Sequence, residues 1–182
     1  MPMTKWSDIR KVLDSWSKPA LLALLKDFYE LSSTNRDFFY ARSQTNEENS
    51  EALEQYRRKI IEQFFPTNSF GKLKLSEARK AIREYRKATG NLVGTVDLLL
   101  TYVENGTKFT REFGDINEAF YNSLESAMHE LVKLLWTHRN FYPRFRERIL
   151  SLEKHADHIG WGYGDFLRDQ VMNIEGEFEE GM

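Results

Sequence analysis

Four polar residues, Glu118, Asn122, Glu125 and His129, share one edge of the stretch from Phe113 to Trp136. A Glu and a His four residues apart on a helix point the same way and can ligate one metal ion. His155 and His158, three apart, are the side chains that could complete such a set. Metal sites inside helical bundles instead use paired Glu-x-x-His motifs with inward carboxylates, and neither pair here has that form. The edge lies opposite the apolar stripe of its own helix, so it faces solvent or a partner. A docking edge for another protein is therefore the favoured reading. A metal-binding or hydrolytic use of Glu118, Glu125 and His129 is an alternative. Ser123 and Ser126 lie on the same stretch, but no His stands in a motif that would activate either hydroxyl. No catalytic residue, metal or cofactor is assigned.

A second constellation is basic. Arg79, Arg83 and Lys87 recur every four residues along SEARKAIREYRKAT, with Lys80 and Arg86 beside them and Arg57, Arg58 and Lys59 on the preceding helix. Planar guanidinium groups on one helix face suit phosphates or an acidic peptide, which makes a nucleic-acid-associated accessory protein the other alternative. Against it stands the bland reading, a solvated face that pairs with acids of the chain. The sequence pI of 6.1 is well below the ~9 expected of a dedicated nucleic-acid domain. Asp97 is the most conspicuous acid, because it interrupts the apolar run of its helix. It fits a structural ion pair with an Arg such as Arg83 as well as it fits general acid or base work. The turn WGYG at 161–164 reads as a recognition loop or, more ordinarily, as a turn that tucks its Trp into the end of the core.

These residues sit on elements with a helical period nearly throughout. Trp6, Ile9, Leu13 and Trp16 are spaced 3, 4 and 3, which predicts a short amphipathic helix. Ser17 before Pro19 opens a second, with Leu21, Leu22, Leu25, Phe28 and Tyr29 as its stripe. SSTN at 32–35 ends it, and 36–41 form another short helix. RSQTNEENS at 42–50 is a loop. Leu53, Tyr56, Ile60 and Phe64 then mark a helix that stops before Pro66. After a loop over 66–75, Ser76 is predicted to cap the basic helix, which ends at Gly90. Asn91 caps the next, predicted to end near Asn105-Gly106. Asp115 and Glu118 form a capping box for the long helix to Trp136. Pro143 begins a helix running to about Gly160, and 165–174 form the last. The acidic end at 175–182 is expected to be a flexible tail, leaving 1–174 as one domain.

Composition supports the same picture. Of 182 residues 41% are hydrophobic and 14% aromatic, while Gly (10) and Pro (4) are scarce, which favours long helices with large core side chains. The fold expected is all-α, an irregular bundle or short solenoid of about seven to nine antiparallel helices. Cysteine is absent, so thiol chemistry and disulfides are excluded. The longest apolar run, Ala20 to Leu25, is far below the ~20 residues that span a bilayer, and no export signal opens the chain, so no membrane contact and a cytoplasmic location are expected. Charge is uneven. Residues 1–90 carry 17 Lys and Arg against 12 Asp and Glu, and residues 91–182 carry 9 against 16.

The order of features from Lys74 to Leu135 resembles a bacterial family of helical domains of unknown function. The resembling residues are LSEARKAIREY, then LVGTVDLLLTYVENGTKFTREFGDI, then NEAFYNSLESAMHELVKLL. Pro19–Leu31 and IIEQFFP fit the same pattern, so the resemblance covers about three-quarters of the chain. It leaves the Trp-rich start and the acidic end outside. It implies an all-helical fold and carries no catalytic or cofactor residues with it. The function expected is that of a non-enzymatic scaffold or adaptor working through protein–protein interaction or self-association, since wide aromatic-rich stripes suit a groove for a partner helix.

Overall fold

A computed structural model describes residues 5–44, 51–67, 73–156 and 159–179. Among the described residues there are nine α-helices, one 3-10 turn and no strand. The helices are α1 (Trp6–Leu13), α2 (Lys18–Leu31), α3 (Ser33–Ser43), α4 (Glu51–Phe64), α5 (Leu75–Thr89), α6 (Leu92–Phe113), α7 (Glu118–Thr137), α8 (Tyr142–His155) and α9 (Tyr163–Glu179). The fold is all-α, as the periodicity predicts.

The middle of the molecule is α6. Thirteen of its 22 residues are buried, and it packs against α4, α5, α7 and α8 at once. A helix apolar on most of its circumference can only be satisfied there. Around it the apolar stripes close in: Leu53, Tyr56, Ile60 and Phe64 from α4, Leu124, Met128, Leu131 and Leu135 from α7, Phe145, Ile149 and Leu152 from α8. Aromatic edges join these layers, with the Phe64 and Tyr102 centroids 5.5 Å apart and Tyr56 and Tyr85 5.6 Å apart, both T-shaped.

Short polar side chains set the helix starts. Ser17, Ser32, Asn91 and Asn117 accept from the backbone N–H three residues on, at 3.4, 3.0, 2.9 and 3.0 Å. Gly90 closes α5 in the left-handed region at φ 67°. Two predicted caps are corrected. The cap of α7 is Asn117, so Glu118 is its first residue, and Asp115 is left to accept from the Tyr121 hydroxyl (2.7 Å) and the Gly160 N–H (3.2 Å). Helix α5 starts at Leu75 behind Lys74 with no side-chain cap, which puts Ser76 inside the first turn.

Three boundaries also move. Helix α6 does not end at Asn105-Gly106: the Asn105 amide bonds back to the Thr101 carbonyl (2.8 Å), and Gly106 is buried where Leu124 of α7 crosses. Helix α8 stops at His155, short of Gly160. Helix α9 does not end at residue 174 but starts at Tyr163 and continues through Glu179. Its last turns are held by Phe178 stacked on Tyr142 (4.1 Å, 16°), by Arg139 on Glu177 and by Arg146 on Glu175. Residues 180–182, like 45–50 of the first predicted loop and 68–72 of the second, lie outside the described residues.

Candidate interaction surface

The polar edge of α7 is laid out by its helical spacing. Glu118, Asn122 and His129 are exposed and Glu125 is half-buried. Helix α9 covers part of this edge, for the His129 ring meets Phe166 edge-on at 5.1 Å and 66°. Ser123 turns inward and shares a 2.6 Å hydrogen bond with the buried Tyr102 hydroxyl. Among the described residues no three His, Asp or Glu converge as a metal site would require. His155 has its Nδ1 2.6 Å from the Ser151 carbonyl of its own helix, and His158 lies outside the described residues.

The basic constellation is divided by the fold. Arg79 and Arg86 both reach across to Glu130 of α7, at 2.9 and 3.5 Å. Arg79 is also half-buried over the Tyr102 ring. Arg57 turns away from Arg58 and into the interior, while Arg58, Arg83 and Lys87 stay exposed. The ridge predicted from Arg79, Arg83 and Lys87 is thus interrupted at its first member.

Asp97 proves to be the hub of an ion-pair network, and its partners are not Arg83. Its Oδ2 accepts from Arg57 Nε (3.1 Å) and Nη2 (2.6 Å), and its Oδ1 accepts from Arg148 Nη1 (2.6 Å). Arg148 then grips Glu104 with two parallel bonds, Nε at 2.8 Å and Nη2 at 2.6 Å, and touches Thr101 Oγ1 at 3.2 Å. This bidentate geometry ties α4, α6 and α8 together. Guanidinium groups engage both carboxylate oxygens, an arrangement that braces the packing of α4 and α8 on α6.

One cavity of about 490 Å³ opens beside this network, between α6 and α8. Glu104 and Glu112 share its walls with Lys108, Arg111 and Arg148, which leaves one positive charge in excess. The loop after α8 does not bury its Trp. Trp161 stands at φ 60°, 59% exposed, with its ring over Tyr121, and it is Tyr163 that enters the core to meet Thr107 Oγ1 at 2.9 Å.

The largest departure from an ordinary surface lies at the other end of the chain. Neither α1 nor α2 has a buried residue. Yet α1 is the most amphipathic helix, and α2 has the highest mean hydropathy of all nine. On α1 and the turn after it, Trp6, Ile9, Val12 and Trp16 are exposed; on α2, Leu22, Leu25, Phe28, Tyr29 and Leu31 are exposed. These are nine of the thirteen large apolar side chains that the described residues expose. Helix α2 packs chiefly on α3, through contacts such as Tyr29 against Phe39 at 6.2 Å, and among the described residues α1 packs closely on no other helix. The other four exposed residues, Phe113, Trp136, Trp161 and Met172, are scattered over α6, α7, α9 and a turn. The signal was present in KPALLALLKDFYEL, whose broad apolar side stands opposite Lys26, Asp27 and Glu30. The period of that stripe does not tell core from interface.

Residues 3–173 match a family of unknown function, DUF6155. The match includes the Trp-rich start, which the resemblance had left outside. No curated protein and no solved structure matches the chain. No described helix is long and apolar enough to cross a membrane.

Proposed function

The chain belongs to the DUF6155 family of unknown function, and we propose that it is a non-enzymatic helical scaffold that binds protein through the open face of α1 and α2. One observation carries this reading: the most apolar helix of the chain has no buried residue. Covering that face returns roughly 25 cal/mol for every Å² of apolar surface removed from water. Aromatic side chains are over-represented at the centres of protein interfaces, and Trp6, Trp16, Phe28 and Tyr29 supply them here. Behind the face, α4, α5, α7 and α8 pack around α6 and are cross-linked by ion pairs such as Arg57–Asp97 and Arg148–Glu104. The α7 edge is a weaker candidate, because α9 covers part of it and its exposed residues offer no apolar anchor.

A photo-crosslinking side chain at position 25 tests this in intact cells, with the same probe at Asn122 on the α7 edge and at Glu147 on α8 for comparison. Protein adducts from position 25 and none from 122 or 147 are expected. Adducts from 122 alone would move the binding site to α7, and none from any position would end the scaffold reading.

A further inference from the structure

We infer that the occupant of the α1–α2 face is a second copy of this chain, making the protein a homodimer joined through its N-terminal helices. This rests on the scaffold reading above and specifies its partner.

Size is the first argument. The nine apolar side chains are each between 41% and 73% exposed. With aromatic side chains of ~150–250 Å² each, they present on the order of 800 Å². A stable complex buries about 800 Å² on each partner. Spread over α1, the turn after it and α2, the nine side chains together expose about the area that one protomer contributes to a dimer.

Charge then selects among occupants. Residues 5–31 carry five Lys or Arg and four Asp or Glu, mixed along both helices. Some already pair within a helix, as Arg10 does with Asp14 (3.9 Å) and Lys26 with Glu30 (3.7 Å). A strongly acidic or basic partner finds no complementary field around this face. A membrane surface selects amphipathic helices whose polar side is rich in Lys and Arg, and this one is balanced. An identical surface meets it without net repulsion, and a two-fold axis lets the basic positions of one protomer stand over acidic positions of the other.

Shape agrees with both. Leu22, Leu25 and Tyr29 follow one another at spacings of 3 and 4, the repeat by which two helices interlock side chains along a seam. Leu22 and Leu25 stand open along that seam, and Tyr29, at its end, is exposed on one side while its ring meets Phe39 of α3.

Sedimentation equilibrium of the full chain, over concentrations from sub-micromolar to about a hundred micromolar, tests the inference. A particle of twice the 21.5 kDa chain mass is expected. L22E/L25E is expected to return it to the single-chain mass with unchanged helical circular dichroism, since neither side chain supports the monomer's core. Should that variant misfold, the wild-type protein still decides. All four tryptophans are at least 41% exposed in the single chain, and burying Trp6 and Trp16 must blue-shift emission as concentration rises and reverse on dilution. A wild-type chain that stays monomeric throughout overturns the dimer. So does a dimer that L22E/L25E leaves intact, which places self-contact elsewhere. So does a monomer that sediments with phosphatidylcholine vesicles containing phosphatidylserine, which gives the face to a membrane. A monomer that still yields position-25 adducts with a different protein ends the dimer and keeps the scaffold; a monomer with no adduct ends both.

Discussion

Asp97 shows why a charged residue can sit in the most buried helix of this chain. Its carboxylate is only 13% exposed, but each oxygen faces a guanidinium, and both arginines have a second acid, Glu54 for Arg57 and Glu104 for Arg148. Removing the one acid shared by both leaves two half-buried cations facing each other. Losing a partner from a fully buried pair costs about 3–5 kcal/mol. With Glu54 and Glu104 still in place, Asp97→Asn is expected to cost about 2–3 kcal/mol, read as a lowered urea midpoint. Arg83→Ala, at an exposed position, is expected to stay within about 0.5 kcal/mol. Equal midpoints for the two variants would mean that water screens the network. That Asp97 needed a cation was legible from its apolar neighbours. Which cation was not, because Arg57 and Arg148 stand 40 and 51 residues away and only the packing of α4 and α8 on α6 brings them together.

Helix type was the most legible property at the scale of elements, and helix ends were the least. Asn105-Gly106 reads as a stop because the pair favours turns. Here tertiary packing prevails: a Cβ at Gly106 would stand 2.3 Å from Leu124 Cδ2, so the missing side chain is what lets α6 and α7 cross this closely. Gly176 in α9 is the control, helical and exposed with nothing within 4 Å of a Cβ. Alanine is favoured over glycine inside a helix by about 1 kcal/mol. Gly176→Ala should therefore stabilise by up to about that amount. Gly106→Ala should instead destabilise by a net ~1–2 kcal/mol, because overpacking a core costs about 1–3 kcal/mol. Thermal melts followed by circular dichroism should move in opposite directions, and a Gly106→Ala melt equal to or above wild type would remove the close-crossing argument. The open face of α1 and α2 was half legible. Their apolar stripes stand out in the sequence, but whether a stripe faces its own core or another chain depends on how many other helices reach it.

Across the whole molecule, part of the uneven charge of the two halves is met internally. Basic groups of α4 and α5 meet acids of α6 and α7, as in Arg57 with Asp97 and Arg79 with Glu130. The core they surround is rich in phenols. Tyr56, Tyr85, Tyr102, Tyr121 and Tyr163 are all buried, and burial is the main cause that raises each above the ordinary tyrosine value of 10.0. Tyr163 is the extreme, fully enclosed and joined to Thr107. In the unfolded chain these phenols ionise near pH 10, whereas the folded chain holds them protonated. Their contribution to stability is therefore complete below pH 10 and is lost as pH rises from there toward the folded values. For a phenol as enclosed as Tyr163 the loss is about 1.4 kcal/mol per pH unit in that window. The expected outcome is an alkaline transition in which tyrosinate absorbance from the core and loss of helical circular dichroism rise together above pH 10. If all eight tyrosines ionised near pH 10 while the helical signal persisted, water would have ready access to the space between α4, α6 and α7, and the packing that positions every surface described above would be looser than its geometry implies.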